Sequence, residues 1–211
     1  MQPMVLAEVP HPETRVAHAA REVATEFCSP ALLNHSLRSY VWAASYGVLN
    51  GIAFDEELLY VSALLHDIGL VREFDSHDVG FEYAGAAVAW VFGASAVWSP
   101  ERRRRAGEVI IAHMASELVG PETDPEGHLL SVATSLDISG ARLNAWPVEL
   151  RSEVIRALPR AGLAEEFVGC FKDQASRKPH SSPALAIAEG IEARVAANPL
   201  DQLDASLTLG R

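Results

Sequence analysis

The chain has 211 residues, 49% apolar and 21% charged, with 17 Lys and Arg against 28 Asp and Glu for a formal net charge of −11. That length suits one domain hiding about 70% of its extended-chain surface, and the composition excludes a disordered, collagen-like or coiled-coil chain. The acidic balance repels a phosphate backbone, so nucleic acid is not an expected partner.

In chain order, Val16, Ala20, Val23, Ala24 and Phe27 recur at helical spacing and predict a first helix over 14–27. Ser29-Pro30 sets a serine cap before a proline at the first helical position, predicting a second helix over 30–49 that ends near Gly51. Asp55, Glu56 and Glu57 place negative charge at the start of a third helix, which runs through Leu64 and Leu65 to Gly69. Further helices are expected over 81–92, 100–115, 126–138, 148–158, 163–177 and 183–197, with Ser99-Pro100 and Ser182-Pro183 repeating the serine–proline start. The tail after Pro199 is expected to be partly loose. No hairpin pattern occurs, since Asn50-Gly51 ends a helical pattern, and the predicted class is all-α.

Tyr83 to Pro100 carries no charge, but its Gly, Ser and Ala content favours a buried helix over a membrane span. Arg102 to Arg105 follow a helix start, so they point all round its first turns and are expected to be solvated. Cys28 and Cys170 form no CxxC or Cys/His ladder and read as reduced thiols. The first residues lack a basic start, an apolar stretch and a small-residue cleavage site, which points to the cytoplasm.

Two His-Asp dipeptides occur. His77-Asp78 lies in the polar stretch EFDSHDVG, whereas His66-Asp67 ends the apolar run YVSALL. A carboxylate at the core end of a helix needs a cation, a metal or several donors beside it. His35, between Leu33 and Leu37, and Asp137, ending LLSVATSL, are polar residues on apolar helices as well. Two imidazoles and two carboxylates would form a site suited to one divalent transition metal: Fe, Mn, Zn, Co or Ni. The alternative for His66-Asp67 is a hydrogen-bonded pair at a helix end, with no metal.

The order His35, His66-Asp67, Asp137 resembles the HD superfamily of helical metal-dependent hydrolases. The blocks Asn34-His35-Ser36 with Arg38, LLHDIG at 64–69, GFEYAGAAVA at 80–89, EVIIAHMA at 108–115, SLDISGARL at 135–143 and RKP at 177–179 resemble its cyanamide hydratase-like branch. The resemblance implies an N-terminal helix in 1–29 packed on an HD domain over 30–180, followed by a C-terminal helix and tail over 181–211. It implies His35, His66, Asp67 and Asp137 as metal ligands, and a metal that acidifies water for attack on phosphorus or carbon. Arg38, on the face of His35, would hold a substrate phosphate or orient a ligand carboxylate, unless it is an ordinary surface arginine. His113 and Glu73 are the candidate proton carriers. A second metal would draw on His77, His113 or His128, of which only His113 sits in a clearly apolar helix, so one metal is favoured. The expected partner is a small-molecule substrate, with a homo-oligomer left open. Phosphoester or nucleotide hydrolysis, hydration of cyanamide or a related nitrile, and a non-catalytic ligand sensor all remain open. A phosphate would ask for Arg38 and another cation facing the metal, and a nitrile for a small apolar pocket.

Overall fold

A computed structural model describes residues 4–209. They form an all-α fold with no strand among them. Helix α1 spans Arg15–Phe27, opened by Thr14, whose hydroxyl accepts from the Ala17 N–H. Helix α2 spans Pro30–Asn50 and is closed by Gly51 at φ 66°, the left-handed end expected there. Helix α3 spans Glu56–Leu65, and its residues from Leu58 to Leu65 are all buried, as an uninterrupted apolar run requires. A 3-10 turn over Ile68–Leu70 then leads to α4, Phe81–Ser95, and α5, Pro100–Ala112. Helix α6 spans Pro125–Ser139, α7 Val148–Ala157 and α8 Leu163–Arg177.

Three expectations differ towards the C-terminus. The run 183–197 is two helices, α9 over Ser182–Ala188 and α10 over Ile191–Ala196, because Gly190 adopts φ 76° and breaks it. Ser182 does not cap α9: its hydroxyl donates to Glu82. Within the described residues the tail after Pro199 is helical: α11 runs over Pro199–Leu209 and buries Leu200.

Helix α2 packs between α3 and α6, and α5 closes the other side of α3 and α6. Their apolar faces make one large core, and a second, smaller cluster joins Ala31, Phe81 and Ile138 to Leu163, Phe167, Phe171 and Val195. Helix α4 packs on α5 but leaves Tyr83, Trp90 and Val91 exposed, so it is a peripheral helix rather than a buried one. No helix is long and apolar enough to cross a membrane among the described residues.

The arginine tetrad is also less solvated than expected. Arg102 pairs with Asp55 and Glu57, Arg105 pairs with Asp124 and Glu126, and Arg103 donates to the Trp98 carbonyl, which leaves Arg104 exposed. These arginines tie α5 to the starts of α3 and α6, where acidic residues cluster at positive helix ends.

The turn after the dyad depends on Gly69. A Cβ there would stand 2.1 Å from the Phe81 carbonyl oxygen, which is backbone and cannot rotate away. Gly69→Ala is therefore expected to destabilise the fold by about 3 kcal/mol, the upper end of overpacking costs, read as a lower urea midpoint with unchanged slope.

Candidate metal centre

The site forms where α2, the end of α3 and α6 meet. His35 comes from the second turn of α2, His66 caps the end of α3, and Asp67 begins the following turn. All three are buried, and their ligating atoms lie within 4.8 Å of one another. The Nε2 atoms of His35 and His66 are 3.1 Å apart, and Oδ2 of Asp67 lies 3.3 Å from each.

The outer ring nitrogens decide which atoms face inward. His66 Nδ1–H donates to the Ala63 carbonyl at 2.7 Å, and His35 Nδ1–H donates to Asp137 Oδ2 at 2.7 Å. Both Nε2 lone pairs therefore point at each other and at Asp67 Oδ2, a buried oxygen with no hydrogen-bond partner. Three electron pairs turned on one point repel unless a cation lies between them, and two imidazoles with a carboxylate are ordinary donors for a divalent transition ion. These residues fit the expected metal.

Asp137 stands one layer back. Oδ1 accepts from Arg38 Nε and Trp42 Nε1, each at 2.8 Å, and Oδ2 accepts from Arg38 Nη2 at 2.8 Å as well as from His35. The structure thus brings three of the four expected ligands together, while the fourth orients the His35 ring from behind, as carboxylates commonly do for metal-binding histidines. Burial works against the Asp137 charge, but the Arg38 guanidinium and the hydrogen bonds from His35 and Arg38 hold its carboxyl well below the usual range. Burial likewise opposes the Asp67 charge, and the imidazoles around it, His66 first, hold its carboxyl well below the usual range. For His66, burial is the leading cause and lowers its proton affinity, which suits a neutral ligand.

Arg38 does not face a substrate. It is fully buried, and besides Asp137 its Nη1 donates to the carbonyls of Leu158 and Pro159, both at 3.0 Å, so its donors are spent inside the fold. It contacts the Asp137 carboxylate and does not line the cavity. Glu73 is corrected as well: it lies exposed on the turn after the 3-10 segment, because the chain swings outward past Leu70, and it does not line the cavity. His113 does reach the site. Its ring packs edge-on to His66 with centroids 4.9 Å apart, its Nδ1–H donates to Ile110 O, and Nε2 lies 3.6 Å from Asp67 Oδ1. His77 is exposed and His128 donates to the Val119 carbonyl, and neither joins the cluster.

Three supports of the site went unread in the sequence. Trp42 follows Arg38 by one helical turn and shares its face, a signal that was present. Arg160 Nη1 and Asn198 Nδ2 both donate to the Asp137 main-chain carbonyl at 2.8 Å, from segments with no local pattern to mark them.

The triad opens into a cavity of about 380 Å³, walled largely by apolar side chains including Phe81, Ile138, Phe167 and Phe171. A profile of the HD domain family matches residues 32–139, the segment that carries His35, His66, Asp67 and Asp137. The chain belongs to the HD domain family. Two proteins of Saccharomyces cerevisiae, cyanamide hydratase DDI2 and cyanamide hydratase DDI3, are each 29% identical to it over 182 residues, covering 84% of this chain and 80% of theirs. The HD match, these relatives and the His–His–Asp cluster together support a metal-dependent HD hydrolase or lyase.

Proposed function

We propose that this HD protein hydrates a small neutral nitrile such as cyanamide, with the metal held by His35, His66 and Asp67. The observation that carries this reading is the charge of the cavity. Arg194, at its wall, is the cavity's cation apart from the histidines, and it is an exposed side chain already donating to the Glu189 carbonyl. Arg38 is turned away, and the hydroxyls of Thr134 and Ser139 spend their protons on carbonyls of their own helix. A phosphoester would enter with its negative charge unmet by a bidentate donor, whereas a nitrile brings no charge to neutralise. The names of the two yeast relatives favour the same reaction.

Water adds its oxygen to the nitrile carbon as one carbon–nitrogen π bond breaks and the nitrogen takes one proton; the imidic acid so formed moves its O–H proton to the nitrogen as the second carbon–nitrogen π bond gives way to a carbonyl, which leaves the amide. A divalent ion bound at the triad supplies Lewis acidity and lowers the pKa of water. His113 is the chain's proton carrier: with Nδ1–H fixed on Ile110 O, its Nε2 can accept a proton from water beside Asp67 and return it to the substrate nitrogen. Asp137 keeps His35 Nε2 aimed inward, and Arg38 with Trp42 keeps Asp137 in place.

The test is a metal-reconstituted assay with cyanamide and acetonitrile beside a panel of nucleotides and p-nitrophenyl phosphates. Amide formation without phosphate release is expected, and the reverse result would overturn the reading. His113→Gln is expected to lower kcat by about 10²–10⁴ while retaining metal, measured by steady-state kinetics and metal analysis.

A further inference from the structure

We infer that the substrate carries an apolar, ring-sized group beside its reacting carbon, and that α8, α9 and α10 form the pocket that selects it. The inference rests on the hydration reading for its chemistry but on the cavity for its shape. At about 380 Å³ the cavity could hold roughly a dozen waters at the volume of about 30 Å³ each has in the liquid. Cyanamide, a bare amino group on a nitrile, fills only a small part of that. Water is a poor filling where Phe81, Ile138, Phe167, Phe171 and Ile191 form the wall, whereas burying a hydrocarbon group against them is favourable.

The wall also has direction. The rings of His113 and Phe81 are 5.6 Å apart, those of Phe81 and Phe171 are 5.6 Å apart, and those of Phe171 and Phe167 are 4.0 Å apart. This aromatic row joins His113, whose ring packs on His66, to Phe171 and Phe167 on α8, and Ile191 and Ala186 line the same cavity. Offset and edge-on spacings of this kind accept a further ring. The reacting carbon would sit at the triad and its apolar substituent against Phe171 and Phe167. Those two residues, Ala186 and Ile191 all lie beyond 32–139, the segment matched by the HD profile, so selection and chemistry come from different parts of the chain.

Urea and phenylurea, products of hydrating cyanamide and phenylcyanamide, separate shape from reaction because both bind without reacting. Calorimetry on the full chain with zinc added is expected to show phenylurea binding at least about tenfold more tightly than urea. Ile191→Trp or Ala186→Phe, each of which fills the cavity from a half-buried position, is expected to erase that preference, with circular dichroism confirming the fold. Equal affinity of the wild-type protein for the two ureas, or a preference that survives both variants, would overturn the inference. If phenylurea is preferred and neither cyanamide nor phenylcyanamide is hydrated, the pocket assignment stands and the hydration reading alone fails.

Discussion

Replacing Asp67 by alanine is expected to empty the triad of metal and to cut turnover by roughly three orders of magnitude or more. The several kcal/mol of charge stabilisation that a cation contributes is lost with it. Asp67 is the triad's one carboxylate, and its Oδ2 is equidistant at 3.3 Å from the inward nitrogens of His35 and His66. Two neutral imidazoles alone hold a divalent ion poorly. The variant should nonetheless fold, since in the metal-free protein this buried oxygen has no hydrogen-bond partner and its removal relieves an unmet desolvation cost. Thermal melts separate the two effects. Added metal at about 100 times its Kd should stabilise the wild type by about 2.7 kcal/mol and leave the Asp67→Ala midpoint unmoved. A variant that still binds one equivalent of metal, or that retains turnover, would remove Asp67 from the centre.

Arg38→Ala is expected to be as damaging, but through the fold. The substitution leaves the Asp137 carboxylate buried without its principal counter-charge, takes the Arg38 donor from the Leu158 carbonyl, and leaves the Pro159 carbonyl with Asn34 as its side-chain donor. Breaking a buried pair by removing one partner costs about 3–5 kcal/mol, a large share of a domain's total stability. Urea denaturation should show that loss, or the protein should fail to accumulate in soluble form. Arg38→Lys should recover only part of it, because one ammonium cannot span both carboxylate oxygens and two carbonyls as a planar guanidinium does. A stable Arg38→Ala protein with a raised KM and unchanged metal content would instead return this arginine to the substrate.

The contrast between these two residues shows what was legible beforehand. Polar residues on strongly apolar helices stand out, and His35, His66, Asp67 and Asp137 did so because a buried imidazole or carboxylate demands a partner. Which layer each occupies did not show. Arg38 shares the face of His35 whether it looks into the cavity or behind the ring, and only the position of Asp137 decides between them. Glu73 misled because closeness to the dyad along the chain is not closeness in space once a 3-10 turn redirects it. The helix starts were legible from Ser-Pro and Asp signals, and the all-α class with them. The break at Gly190 does not show in the sequence because the apolar pattern continues on both sides of a residue that takes a left-handed turn at no steric cost. The aromatic row was hidden for another reason: Phe81, Phe167 and Phe171 each satisfy the local periodicity of a core position, and periodicity does not distinguish a side chain facing a cavity from one facing the interior.

The grip on the Asp137 main chain has a practical corollary. Asn198 and Arg160 both hold that carbonyl, and Arg160 is in turn anchored by Asp201 on α11. A recombinant fragment trimmed near residue 180, where the family-like blocks end, would keep His35, His66, Asp67 and Asp137 yet sever the brace from the far terminus. Expression boundaries and C-terminal fusion tags for this protein therefore belong beyond the last helix.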